Sequence, residues 1–436
     1  MKMFGRREGK LDLNQILMLI CLTILIITVA MPMIMIVYNT FFYGFTFDWS
    51  MFTNVVMDPS NVDAMWNTIV IAFWVTVVGT IVGVFYAWLI GRTNIPLKGL
   101  MKTLFVIPYM FPPFIGAMAW GLLLSPRSGY INKLWMLMMG TREPLMNINS
   151  IAGIVFVEVC YYFPFVFLQV VSALERMDPT LEESARISGA NQLYVIRKIT
   201  LPLVVPAVAA GAMLILISSL SHFGVPAMLG FSRGIFTLPT KIYELINRSA
   251  GSFEGIRQGA ALSILLVVVV VIALWLQRKI LKAGHYDIIR GKSMRPMLIN
   301  PRTSKFPLLG VCLASLFVIV ILPLYIIFAV GGLKAYGLPL NLANMTLDNY
   351  YHVLFSSRMA QDAIKNSFFL AISSAIIAMF VGTMIAYVVV KVKVKGKSLL
   401  EILALLPYSV PGIVLAIGVI LMWSGTFYLN LYNTIW

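Results

Sequence analysis

Charge is what this sequence has least of: Asp, Glu, Lys and Arg make up 11% of its 436 residues, against roughly a quarter in a soluble domain. That scarcity excludes an ordinary solvated globule. Cysteine is rarer still. Cys21, Cys160 and Cys312 lie far apart inside apolar runs, so no disulfide framework is expected. His222, His285 and His352 are scattered, with no cysteine or carboxylate cluster at ligand spacing, which argues against a resident metal centre. The Gly, four residues, Gly-Lys-Ser/Thr loop is missing, as are a nucleophilic-serine elbow and a zinc-protease helix. ATP binding by a P-loop and those hydrolytic chemistries are thereby excluded, and the chain is expected to be neither an enzyme nor a cofactor binder.

What is present is hydrocarbon: 60% of the residues are hydrophobic. Nine apolar runs, at about 15 to 38, 66 to 90, 100 to 124, 150 to 173, 201 to 221, 259 to 280, 307 to 330, 366 to 390 and 399 to 423, are long enough to cross a hydrocarbon core of roughly 30 Å as helices. The first run is longer than a signal h-region and lacks a small-residue cleavage pattern, so it reads as a retained span. The formal net charge of +16 comes without aromatic residues interleaved in a basic groove, and nucleic acid is not expected as a partner. The basic residues instead follow membrane topology. With a cytoplasmic N-terminus, 23 of the 33 Lys and Arg fall on inner segments, the positive-inside bias.

The chain also repeats itself. At a constant offset of 299, Asn67 matches Asn366, Gly83 matches Gly382, Lys98 matches Lys397, and Pro108, Tyr109 and Pro112 match Pro407, Tyr408 and Pro411. Span two aligns with span eight, so the repeat unit holds six helices and both copies enter the membrane in the same direction, a parallel repeat. The expected organisation is a first unit over residues 1–280, a basic linker over 281–306 and an incomplete second unit of three helices over 307–436. The fold class is all-α polytopic membrane protein.

One segment departs from the apolar pattern. "DPTLEESARISGANQLYVIRKITLP", between spans four and five, carries helix-start signals: Asp178 as N-cap, Pro179 at the first helical position, and Glu182 and Glu183 near the positive end of the dipole. Gly189 permits a turn, and the chain then resumes a helical pattern up to Pro202, which can open the fifth span. The expected shape, over residues 175–202, is a short helix, a glycine hinge and a second short helix. Glu183, Ser184 and Ala185, then Gly189, Ile199, Leu201 and Pro202 at their spacing resemble the EAA loop of binding-protein-dependent ABC importer permeases, with Ser184 the one departure.

The resemblance implies that this loop docks into a groove on a separate ATP-hydrolysing subunit, present in two copies, while an extracytoplasmic binding protein delivers the solute. Ala185 and Ser184 would allow close approach, Glu183 would pair or cap, and Gly189 would set the angle between the helices. ATP would be bound by the partner alone. Two fused halves, "LLLSPRSGYIN" and "HFGVPAMLG" look most like the permeases of ferric-iron-type importers, a branch with relatives for thiamine, phosphonates and polyamines. A second coupling loop would begin near position 482, past Trp436, so the expectation is a truncated product or a unit completed by another chain.

Inside the spans, Glu158 is the one acid well within an apolar run; it either lines the path or makes a hydrogen-bonded helix contact. Pro108, Pro112 and Pro113, with Pro407 and Pro411 in the repeat, are expected to kink spans three and nine and to shape a central cavity or gate. Membrane lipid surrounds all of it. An ion-coupled secondary carrier is the rival reading, and it would need ionisable residues in the membrane beyond Glu158.

Overall fold

The computed structural model describes residues 13–178, 180–248, 253–282, 304–392 and 396–424. Pro179, the basic N-terminal segment, most of the expected linker and the segment after Ser424 lie outside the described residues. Among the described residues seven single helices are long and apolar enough to cross a membrane, and nine spans result when each of two bent helix pairs counts as one. In chain order they are α1 (Leu13–Phe41), α2 (Pro59–Arg92), the pair α3 (Lys98–Met110) and α4 (Pro113–Leu124), α5 (Ile151–Arg176), α7 (Gln192–Leu220), α9 (Phe253–Lys282), α10 (Lys305–Gly331), α11 (Arg358–Lys391) and the pair α12 (Lys397–Pro407) and α13 (Gly412–Trp423). Of the shorter helices, α6 (Thr180–Ile187) lies ahead of α7 and α8 (Gly224–Gly230) after it. Among the described residues the strands are a two-residue hairpin, Phe42–Tyr43 with Thr46–Phe47.

The repeat read from sequence reappears in the element boundaries. Pro59 and Arg92 bound α2, Arg358 and Lys391 bound α11, and each pair is 299 apart; the limits of α4 and α13 obey the same offset. The expected kinks are sharper than kinks. Between α3 and α4 the direction changes by 91°, and between α12 and α13 by 107°. The reason is local. A residue before proline is pushed out of the α region, and Phe111 and Pro112 are both followed by proline, with ψ of 137° and 122°. Helix resumes with Pro113 at its first position, where a missing N–H costs nothing. Val410, before Pro411, is extended in the same way at ψ 133°.

Other prolines bend nothing. Pro32, Pro202 and Pro323 each follow, two positions on, a five-residue π-turn: Ile26–Ala30, Ile196–Thr200 and Phe317–Ile321. Proline cannot donate to the carbonyl four residues back and its ring crowds that carbonyl; a turn bonded i to i−5 widens the helix there and lets it continue.

Contacts divide the chain into two compact units. One contains Asp58–Lys241 and Val268–Thr346. Its centre is the trio α2, α5 and α7, with Val75, Ala87, Phe163, Val166, Phe167 and Ile215 buried between them. Backbones approach closely because glycines face Val166 from both sides: a Cβ at Gly83 would lie 2.7 Å from its Cβ, and one at Gly211 2.5 Å from its Cα. Small residues at helix contacts are how membrane helices pack tightly without a hydrophobic driving force. α10 lies against α4 in this unit, and Tyr86 of α2 donates to Ser315 at 2.7 Å.

The other unit contains Met1–Met57, Ile242–Val267 and Leu347–Trp436. Here Cys21, Leu25 and Val29 of α1 pack with Val388, Leu400 and Leu403, and α1 continues onto α13, where Gly418 meets the backbone of Pro32. The first span of each sequence half therefore packs on the bent third span of the opposite half.

The glycine contacts give opposite expectations for one substitution. Gly83→Ala must displace Val166 and the Phe163 carbonyl, 2.8 Å from the new atom, at a cost of about 1–3 kcal/mol. Gly382→Ala, its repeat partner with nothing within 4 Å, gains about 0.5–1 kcal/mol from helix propensity. Unfolding of the two variants in one detergent decides it.

Candidate functional site

The hydrophilic segment forms a jointed knob, on a side rich in basic residues, between α5 and α7. Asp178 starts it: its Oδ1 accepts from the Thr180 N–H at 2.9 Å and from the Thr180 hydroxyl at 2.8 Å. These two bonds hold the carboxyl below its ordinary pKa by favouring the charged form. α6 then ends on a glycine in the left-handed region, Gly189, at φ +86°. The Gly189 N–H returns to the Arg186 carbonyl and the Ala190 N–H to the Ala185 carbonyl, the paired closure of a Schellman turn.

Beyond the joint, the structure corrects the expected second short helix. Asn191 caps a new helix, its Oδ1 accepting from the Tyr194 N–H at 2.8 Å. That helix does not stop at Pro202; it runs unbroken to Leu220 as α7. The π-turn ahead of Pro202 is what permits it. One arm of the knob is therefore the end of a membrane-spanning helix.

The resemblance residues fall into two groups. Glu183 and Ser184 are exposed on α6. Ala185 and Gly189 line an open hollow with Ser188, Ala190, Asn191 and Tyr194, flanked in sequence by the exposed apolar side chains Ile187 and Leu193, 87% and 72% accessible. Ile199 is half-buried, while Leu201 and Pro202 are exposed on α7 beyond the hollow.

Sequence reasoning missed what anchors the knob. Glu182, treated only as a dipole acid, is buried, and its Oε1 accepts from Arg92 Nη2 at 2.9 Å and from the Thr200 hydroxyl. Arg92 closes α2 and is 1% exposed. Removing one partner of such a buried pair costs about 3–5 kcal/mol, because the other charge stays behind unpaired. The only hint in the sequence was an arginine ending an apolar run; its partner lies 90 residues away.

Glu158 is fully buried in α5, and both oxygens are engaged: Oε2 by the Ser219 hydroxyl, Oε1 by His222 Nδ1 at 2.9 Å. Its geometry is that of a contact between α5 and the end of α7. Pro108 is buried in α3, beside the bend, and lines a narrow crevice there with Phe111, Gly116 and Tyr161; Pro112 and Pro411 form the bends themselves, and Pro407 ends α12. Among the described residues no group of three or more His, Cys, Asp or Glu is placed to hold a metal ion.

Comparison with known proteins places this architecture. Residues 79–282 match the family of binding-protein-dependent transport system inner membrane components. The inner membrane ABC transporter permease protein YdcU of Escherichia coli is 30% identical over 251 residues, 54% of this chain and 75% of that protein. The chain belongs to this family. Within it, the ferric transport system permease protein FbpB of Actinobacillus pleuropneumoniae is 26% identical over 409 residues, 91% of this chain. The chain spans 56% of that permease's length, and 63% of a Haemophilus influenzae family member likewise named for ferric transport. The fold is also that of a solved bacterial alginate ABC transporter, at a TM-score of 0.52, 20% identity and coverage of 62% of this chain and 94% of the other. The matched segment contains the whole knob, Arg92 and Glu158.

Two outcomes check the knob's construction. Gly189→Val puts a β-branched residue at φ +86° and should cost about 1–2 kcal/mol locally, seen as faster amide exchange across α6. Acid should do the same: the Asp178 cap stabilises fully above the unfolded carboxylate pKa, about 3.9, and is lost as pH falls through the lowered folded value. Exchange protection of α6, corrected for intrinsic rates, should therefore drop only at strongly acidic pH, and Asp178→Asn should remove that pH dependence.

Proposed function

We propose that the chain is the solute-conducting subunit of an ATP-driven, binding-protein-dependent importer of the bacterial inner membrane, with its N-terminus and knob in the cytoplasm. The observation that carries this reading is the knob itself: an exposed hollow lined by Ala185 and Gly189, on a joint whose second arm continues without a break into a spanning helix. Two copies of an ATPase subunit bind and hydrolyse ATP and press on this hollow, and the rigid arm converts their closure into movement of α7. A separate extracytoplasmic protein presents the solute. Similarity to a ferric permease over 91% of the chain, and to a spermidine/putrescine permease, PotB of Escherichia coli, over 56%, supports ferric iron or a related small cationic solute. The sequence units 1–280 and 307–436 are the two permease repeats.

The ion-coupled carrier remains the rival. It needs a membrane carboxylate free to exchange a cation, and the Glu158 oxygens are already held by Ser219 and His222.

Copurification tests the choice. An ATP-hydrolysing subunit should come down with the full chain from native membranes, and Gly189→Trp should reduce its recovery about tenfold, the equivalent of 1.4 kcal/mol at the contact. Gradient-driven uptake by the purified chain alone would establish the carrier instead.

A further inference from the structure

The knob is joined to the bundle by its chain connections to α5 and α7 and by one non-covalent tie. Along the chain it continues into α7. Across space it is held by Glu182, whose Oε1 accepts from Arg92, the last residue of α2, and from Thr200, in the π-turn at the base of α7. One carboxylate oxygen thus ties α6 to α2 and α7 together. A second ion pair nearby, Lys102 with Glu175 at 2.7 Å, is 37% and 43% exposed and belongs to the class of surface pairs that hold little.

Stability alone does not account for the buried node. Apolar residues of similar size serve stability as well as a buried ion pair or better; what a buried pair adds is a fixed register between the elements it joins. Its geometry is also unusual for arginine. A guanidinium commonly grips a carboxylate with two parallel bonds, but here only Nη2 reaches Glu182, with Met177 Sδ beside it at 3.4 Å, and Nε and Nη1 meet no acceptor among the described residues. A single-point attachment transmits displacement while letting the attached helix tilt. The repeat carries the same charge: the position 299 residues on is Lys391, which ends α11 as Arg92 ends α2.

We propose that Arg92 is a positioning residue that carries motion of the knob into α2, so that α6, α2 and α7 move as one three-legged lever. The inference rests on the coupling reading above and adds to it a second route of force, through space, into a helix that the knob does not continue into along the chain.

The test uses the full chain bound to its ATPase in lipid nanodiscs, with an environment-sensitive fluorophore on one added cysteine: Phe85→Cys on α2 or Ala210→Cys on α7, both exposed. The native cysteines are buried. Trapping with ATP and vanadate should shift both probes in the otherwise unchanged protein. Arg92→Gln should cut the α2 response about fivefold or more while the α7 response persists, because only the through-space route is severed. Arg92→Lys, which restores a cation, should recover at least about half of it. Lys102→Ala should leave both responses unchanged. Glu182→Gln, which keeps the shape but removes the charge that Arg92 grips, should give an intermediate loss on α2 and decides the matter if Arg92→Gln fails to accumulate. Equal responses of the two probes in Arg92→Gln, or in Glu182→Gln when it stands alone, overturn the proposal. Absence of any bound ATPase in the unchanged protein sinks the coupling reading, and this inference with it; a bound ATPase with a silent α2 probe sinks this inference only.

Discussion

Proline decides how this chain crosses hydrocarbon. A buried backbone group without a partner costs several kcal/mol where no water can reach it, and each proline withdraws one donor and crowds one carbonyl. At six of its prolines the chain answers in two ways. Where the neighbouring residues can stay helical, before Pro32, Pro202 and Pro323, the helix widens into a π-turn and runs straight through. Where proline forces its predecessor into extended backbone, at Phe111, Pro112 and Val410, the span breaks and turns by about a right angle. Straight spans and bent spans, and so the surfaces on which the remaining helices pack, follow from that local difference.

The knob depends on the same constraint. Had Pro202 started a new helix, a second junction would separate the hollow from the membrane; with the π-turn below it, the arm from Gln192 to Leu220 is continuous. The change of direction is made at Gly189, where the left-handed backbone needs a residue without a side chain. Everything beside that joint is tied down: by Asp178 at the start of α6, by Asn191 at the start of α7, and by Glu182 underneath. A joint with two helical arms and one buried tether is a mechanical part, and small residues line much of its exposed hollow.

Much of this was legible in order along the chain. Spans, the offset of 299, the caps and the glycine joint are properties of neighbouring residues or of a repeated pattern, and helix periodicity and proline chemistry carry them directly. What could not be read was pairing at a distance. Arg92 and Glu182 are 90 residues apart and Glu158 and His222 64 apart; nothing local distinguishes Glu182, which is buried, from Glu183, which is exposed. The sharpness of the bends is not legible because a mild kink and a right-angle turn share one sequence sign, a proline behind the turning residue: Pro112 with Pro113 gives 91°, and Pro411 alone gives 107°. The continuity of α7 was missed because a proline after a polar segment looks like a beginning, and the π-turn that neutralises it has no sequence signature of its own.

The exchange of first spans has a temporal side. Cys21 and Leu25 complete their packing only with Leu400 and Leu403, residues that leave the ribosome much later. At elongation rates of about 5–20 residues per second, α1 waits in the bilayer for some tens of seconds with its apolar face bare to lipid. Membrane insertion of this protein is therefore not a simple left-to-right assembly: α1 is seated only after α11 and α12 have been made.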